Sequence, residues 1–343
     1  MSLSRPVKFP LLKLPWLCIR CVVQNSHPVG LIYFATISDR TRRIVKSSNY
    51  PVQEVDVSLN RSSICMGKGK YWYFTHNKNE FGVPLILRRN SEPFLTGASF
   101  VPNIGSYLHS YTDGDTLDAL KIGIEFMIDV FGCTVGQVLA GDKLSELLRL
   151  GISSVKELYI GNSEPVNITD LKYVLENIKV TDKYVFYVPI PANFSCNPQI
   201  FKCRRMSFLY NGSADWVTLE LLCQFDVPQL SFSYHWFTKQ DIVSYVTYWF
   251  NSENRELEYL HIHFNNLISL EDFEIDHLYP MPFCKKRRSR WSFVGRWKDT
   301  DMSSGKDILR KDGLLATFFV KPTSVFSTEI LFYIWHKRFP DAV

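Results

Sequence analysis

Along this chain the spacing of apolar positions changes twice, and each change marks a different kind of structure. Between residues 9 and 48 the period is helical. Pro15 suits the first turn of a helix, and Cys18, Ile19, Val22 and Val23 follow at three- and four-residue spacing. His27-Pro28 restarts the chain, and Val29, Leu31, Ile32, Phe34 and Ala35 predict a second helix that is apolar nearly all round. A segment this small cannot hide such a surface by itself, so the helix calls for a partner. Ser38 is placed to cap a third helix over 39–46, with Arg40, Arg42, Arg43 and Lys46 outward and Ile44 and Val45 inward.

From residue 52 to residue 89 the alternation becomes that of strands. Segments 55–59, 71–74 and 84–87, separated by Gly- and Asn-containing turns, predict a small antiparallel sheet, and 90–113 reads as loop. Beyond Asp115 helix and strand alternate. Helices are predicted over 116–131, 143–150, 168–178, 215–223 and 239–250, and strands over 134–139, 155–160, 184–188, 229–233 and 257–262. Such alternation implies right-handed crossovers and a parallel sheet. Val155-Lys156-Glu157-Leu158-Tyr159-Ile160 and Leu257-Glu258-Tyr259-Leu260-His261-Ile262 resemble the strand of a leucine-rich repeat, and their unequal spacing predicts a degenerate α/β array over 114–280. Strand patterning returns over 291–294, 314–320 and 330–334, so 285–343 is expected to cap the array with strands.

Composition narrows the function classes. With 343 residues, 46% of them hydrophobic, the chain is long enough for about two packed domains, and intrinsic disorder is excluded. The longest uncharged stretches, 93–112 and 184–201, are broken by Pro, Asn and Ser and do not read as membrane spans. The apolar run near Phe9 is interrupted by Lys13 and Arg20 and lacks a small-residue cleavage site, so secretion is not expected. Scattered cysteines fit a reducing compartment, and the sequons at Asn60, Asn167, Asn193 and Asn211 then read as chance matches. A net charge of +5 is too mild to argue for nucleic acid.

The chemistry-bearing motifs all have ordinary readings. Gly67-Lys68-Gly69-Lys70 lacks phosphate-loop spacing and reads as a hairpin turn. Cys18 and Cys21, and Cys196 and Cys203, lack the partners that would complete a zinc set and read as core or incidental thiols. His261 and His263 share one face of a strand without a further ligand in sequence. Glu271, Asp272, Glu274 and Asp276 read as the acidic opening of a helix. The basic run 285–290 stands open between a solvated loop, a nuclear import signal and a nucleic-acid contact, with the nearby Trp291 and Phe293 packing inward at strand period. No catalytic residue, metal or cofactor is expected.

Phe9-Pro10-Leu11-Leu12-Lys13-Leu14-Pro15, the helix through Val23, the break at His27-Pro28, and the run of Leu31, Ile32, Phe34, Ile37, Ser38, Arg40, Thr41 and Ile44 resemble the F-box, read without a gap. Asp215-Trp216, Ser231-Phe232-Ser233, Asp241-Ile242, Tyr248-Trp249-Phe250 and Leu257-Glu258-Tyr259-Leu260 resemble the type-two F-box-associated domain of nematode-type F-box proteins. The fold class expected is therefore α+β/α/β. A three-helix F-box over 9–48 precedes an F-box-associated substrate-recognition region over 52–343, made of the small sheet and loop (52–113), the repeat-like array (114–280) and the C-terminal strands (285–343).

The resemblance implies a non-enzymatic substrate-recognition subunit of an SCF-type cullin-RING ubiquitin ligase, in the cytoplasm or nucleus. The F-box would bind a Skp-family adaptor, and through it a cullin, with Leu14, Pro15, Ile19, Val22, Pro28, Leu31, Ile32, Phe34 and Ile37. A buried aliphatic side chain at such a face is worth about 1.5–3 kcal/mol. The remainder would bind a protein target. Departures from the pattern lower the expected affinity: Trp16 and Leu17 replace acidic residues, Ser26 an apolar one, His27 an acidic helix cap for which Ser26 or Asn25 could substitute, and Thr41 an aromatic. These favour a rival, a binding scaffold uncoupled from a ligase. Two further rivals are an α/β enzyme and a nuclear nucleic-acid binder that uses 285–290.

Overall fold

A computed structural model describes residues 11–67, 70–76, 85–89, 92–101, 105–112, 114–141, 143–161, 164–292 and 299–339, with the side chains of 85–107 left aside. The chain divides into two compact units, Met1–Val155 and Lys156–Val343.

The first unit opens with a 3-10 turn at Leu11–Lys13 and the helices α1 (Trp16–Gln24), α2 (Pro28–Ile37) and α3 (Asp39–Ser47). Each boundary has a local cause. Pro28 opens α2, where its missing N–H costs nothing. The cap there is His27 itself, whose Nδ1 accepts from Val29 N at 3.3 Å; the expected substitutes Ser26 and Asn25 instead bond back to Val22 O and Cys21 O. Ser38 and Thr41 form a reciprocal capping box for α3, and Thr41 is buried. Ile44 and Val45 face inward, and Arg42 and Lys46 grip Asp129 at 2.7 and 2.8 Å.

The strands of this unit are β1 (Glu54–Ser58), β2 (Ser63–Cys65), β3 (Lys70–Thr75), β4 (Leu85–Arg89), β5 (Glu92–Val101), β6 (Gly105–Tyr111) and β7 (Thr134–Leu139), ordered β7-β1-β2-β3-β6-β5-β4. Two expectations fail here. The sheet is mixed, because β3 pairs with β6 and β1 with β7 in parallel. The stretch read as loop contains β5 and β6, paired antiparallel from Leu95↔Tyr111 to Val101↔Gly105. Gly97, Ala98 and Ser99 give that segment little strand propensity of its own; the hydrogen-bond ladder supplied by a long-range partner overrides it. The helix α4 (Thr116–Phe131), capped by Asp115 and ended by Gly132 at φ 65°, packs on β2 and β3, and α5 (Leu144–Arg149) follows β7. The apolar α2 also finds its partner within the unit: it lies against α3, β4 and β6, and its Val29, Leu31, Ile32 and Ala35 are buried.

The second unit contains β8 (Ser154–Gly161), α6 (Ile168–Asn177), β9 (Lys179–Tyr187), β10 (Arg205–Phe208), α7 (Leu219–Gln224), β11 (Gln229–Phe232), α8 (Lys239–Asn251), β12 (Tyr259–Phe264), β13 (Met281–Pro282), β14 (Lys306–Leu309), β15 (Leu315–Ser324) and β16 (Ser327–Ile334), ordered β13-β14-β15-β16-β12-β11-β10-β9-β8. Strands β9 to β12 are parallel, as the alternation predicts. Strand β10 has no counterpart in the sequence pattern, and α7 starts at Leu219 because Thr218, not Asp215, supplies the cap. The acidic cluster after β12 opens no α-helix, only 3-10 turns at Leu270–Asp272 and Asp276–Leu278. β16 joins β12 antiparallel and β15 closes onto β16, so the C-terminal strands extend the sheet in plane.

The two faces of this sheet differ. On one, Phe186, Phe208 and Phe232 stand in register, their rings stacked at 5.0 and 4.8 Å under Phe201, Trp216 and Phe225. On the other, Lys183, Arg205, Gln229, Tyr259 and Tyr333 form one row, and Val185, Ser207, Ser231, His261 and Leu331 the next. On that face Arg205 and Ser207 are half-buried and Ser231 and His261 buried, and Tyr259, Met302, Phe319, Leu331 and Trp335 form a closed cluster.

The basic run resolves in an unexpected way. Arg288 is wholly buried, with Nε 2.7 Å from Asp307 Oδ1 and Nη2 2.9 Å from Met302 O, between the rings of Phe283 and Trp335. Arg287 also bonds Asp307 and Arg290 chelates Asp301, so the arginines of the run are ion-paired, while Lys285, Lys286 and Arg290 remain exposed. Trp291 does not pack inward: it is exposed and joins Asp301 through an isolated bridge, while Phe293 and Val294 lie outside the described residues.

Candidate functional site

In the first unit, the residues expected to meet an adaptor divide sharply by exposure. Ile19, Pro28, Leu31 and Ile32 are buried in the unit's own packing, Leu14 and Phe34 are half-buried, and Pro15, Val22 and Ile37 are open. Trp16 and Leu17, the departures from the F-box pattern, are open as well, Leu17 at 70% exposure and Ile37 at 67%. Arg40 Nη2 donates to Leu12 O at 3.2 Å and so draws the 11–17 segment toward the α2–α3 corner that carries Ile37. Cys18 and Cys21 are exposed on α1 and take no part in a core.

The second unit presents a different surface at the C-terminal ends of its parallel strands. Tyr187 ends β9, Tyr210 follows β10 with its ring 5.3 Å from that of Tyr187, and Tyr234 and Trp236 follow β11. Because Thr328 pairs with Phe264, the β15–β16 turn bearing Val325 and Phe326 reaches the same end. Tyr187, Tyr234, Trp236, Val325 and Phe326 are exposed, Phe326 at 77%. Aromatic side chains of this kind concentrate the binding energy of protein interfaces, since each offers a large contact area at a low entropy cost.

One histidine holds the centre of that edge. His235 donates from Nε2 to His263 O at 3.1 Å and accepts at Nδ1 from Phe237 N at 3.0 Å, with its ring edge-on to Phe264 at 4.8 Å. Both bonds require the neutral ring, and burial pushes its pKa down to about 4. Turning His235 inward turns its neighbours Tyr234 and Trp236 outward. Sequence reasoning missed this loop; the alternation of Tyr234, His235, Trp236 and Phe237 directly after a strand was the available signal.

The remaining sequence candidates have structural partners. His261 Nδ1 bonds Ser231 Oγ at 2.8 Å and Nε2 lies 3.5 Å from Glu329, while His263 sits two residues on. Among the described residues no three His, Cys, Asp or Glu side chains gather as a metal site. No described helix is long and apolar enough to cross a membrane. Gly67 lies at φ 100° in the β2–β3 turn, where Met66 N bonds Lys70 O, and Lys68 and Gly69 are outside the described residues.

The family comparison covers part of the aromatic edge, the part that carries Tyr210, Tyr234 and Trp236. Residues 197–262 match the F-box associated family. The match runs from β10 through β12 and includes the Tyr234–Phe237 loop. The chain is also 27% identical over 145 residues to uncharacterized protein F59B2.8 of Caenorhabditis elegans, covering 41% of this chain and 33% of that protein. It is 26% identical over 149 residues to uncharacterized protein F59B2.9 of the same organism, covering 42% and 34%. The alignments thus span about a third of the length of these curated relatives. No solved structure matches. Neither the description of the matched family nor the printed names of the relatives indicate an enzymatic family.

Proposed function

We propose that the chain is a substrate-recognition subunit of an SCF-type cullin-RING ubiquitin ligase. The observation that carries this reading is that the F-box associated match includes the Tyr234–Phe237 loop, which presents exposed Tyr234 and Trp236 to the aromatic edge. That edge binds a protein target. The N-terminal helices bind a Skp-family adaptor, and through it a cullin, using the open residues Pro15, Trp16, Leu17, Val22 and Ile37 with half-buried Leu14 and Phe34; Ile19, Pro28, Leu31 and Ile32 act by shaping the helices beneath. The strands of β8 to β12 then serve as a repeat-like array, and the protein works in the cytoplasm or nucleus.

The test is capture of a purified Skp-family adaptor by the full chain. Val22→Asp and Ile37→Asp should each abolish capture, because a charge on a desolvated apolar face costs several kcal/mol. Failure of the wild-type chain to capture the adaptor would overturn the ligase reading. A second reading, a protein-binding scaffold with a degenerate F-box, is favoured by one observation: the most apolar helix of the module, α2, is already covered by α3, β4 and β6. It predicts target binding through the aromatic edge with no adaptor capture.

A further inference from the structure

At the opposite end of the second unit from the aromatic edge, where β12 begins, three chain segments line an open cavity of about 340 Å³. Its walls are Arg255, the Asp312–Leu314 turn between β14 and β15, and Trp335, His336 and Arg338 after β16. That volume is at the low end for ligand sites and suits a small polar group.

The charges around it do not balance. Arg310 is buried, donates from Nη1 to Asn254 O at 2.7 Å, and chelates Asp312 through Nε at 2.9 Å and Nη2 at 2.7 Å. Asp312 also accepts from Leu314 N at 3.2 Å and from Arg255, whose Nη2 lies 3.1 Å away. One carboxylate therefore serves two guanidinium groups and has little acceptor capacity left. Arg338 donates to Gly313 O and has no carboxylate partner among the described residues. Counting Arg255, Arg310 and Arg338 against Asp312 leaves two positive charges at the cavity, and Lys311 and Glu253 in the adjoining hollow offset one another. His336 donates from Nε2 to Leu257 O at 2.7 Å, which fixes the ring at the wall.

We propose that this cavity is a binding site for a dianionic phosphate group, carried by a monoester or free. Two excess charges match its dianion, and Arg338 and Arg255 carry the planar N–H forks that bind phosphate oxygens in pairs. Asp312, anchored by buried Arg310, sets Arg255 in place before any ligand arrives. Nothing in this site depends on adaptor binding.

The experiment is calorimetric titration of the full chain, at fixed moderate salt, with inorganic phosphate, with a short phosphoserine peptide and with the same peptide unphosphorylated. Both phosphate probes should bind and the unphosphorylated peptide should not. Tighter binding of the phosphopeptide assigns the site to a phosphorylated side chain, and equal binding assigns it to free phosphate. Arg338→Gln should weaken binding about tenfold or more, as expected for loss of charge-assisted hydrogen bonds, and Arg255→Gln should do the same. Arg43→Gln on α3 is the control and should change nothing. Absence of binding by either phosphate probe, or binding that survives both variants when each unfolds at the wild-type temperature, overturns the proposal.

Discussion

Arg288 and Asp307 form an ion pair in which neither side chain is reached by solvent, Nε to Oδ1 at 2.7 Å. Such a pair is costly to bury, and its value lies in being complete. Here Asp307 is also bonded by Arg287 and by Thr317 Oγ1 at 2.8 Å, and Arg288 by Met302 O and Ser289 O.

Asp307→Ala leaves the Arg288 guanidinium charged in an apolar site between Phe283 and Trp335. The expected loss is about 3–5 kcal/mol, read as a lower urea midpoint. Arg288→Met with Asp307→Leu should cost clearly less than Asp307→Ala alone, because no charge is stranded. Equal losses would show that the pair acts by packing alone.

Two glycines on helices should respond in opposite directions. A Cβ on Gly123 in α4 would lie 2.3 Å from Phe74 Cζ, inside the packed interface with β3, so Gly123→Ala should destabilise by about 1–3 kcal/mol. Gly30 in α2 has nothing within 4 Å of its Cβ position, and Gly30→Ala should stabilise by about 0.5–1 kcal/mol. Thermal unfolding of both variants checks the pair, and a stabilised Gly123→Ala would contradict the packing.

Stability should fall with acid through the titration of His235. Its folded pKa is about 4 against 6.5 for the free side chain, so between these values the unfolded chain binds the extra proton. The contribution, ~3 kcal/mol at one pKa unit per 1.36 kcal/mol, is complete above about pH 6.5 and lost progressively toward pH 4. His235→Gln should flatten that part of the profile. An unchanged slope would remove His235 from its place as the anchor of the Tyr234–Phe237 loop.

Trp236→Ser and Phe326→Ser should shift stability by less than about 0.5 kcal/mol, since both side chains stand in solvent. The same changes should reduce target capture in a cross-linking experiment. A large loss of stability would mean that these rings are structural.

Much of the local architecture was legible in the sequence. The Ser38 cap, the helices over 116–131 and 239–250 and the strand at 134–139 follow from periodicity and local capping, because each is decided within a few residues of chain, and the parallel order of β9, β11 and β12 follows from the alternation of strand and helix. What the sequence could not determine was which surfaces are spent internally. The apolar face of α2 reads as open until β4 and β6 cover it, and the pairing that makes β6 a strand joins residues 70–75 to 105–111. Nothing in the run 285–290 itself marks Arg288 as the member that Asp307 and Met302, distant in sequence, bury. In the same way only strand register brings Tyr187, Trp236 and Phe326 to one edge, and only the meeting of three separate segments leaves Arg338 beside an already occupied Asp312. Burial and charge balance are sums over neighbours in space, and chain order alone does not fix those neighbours.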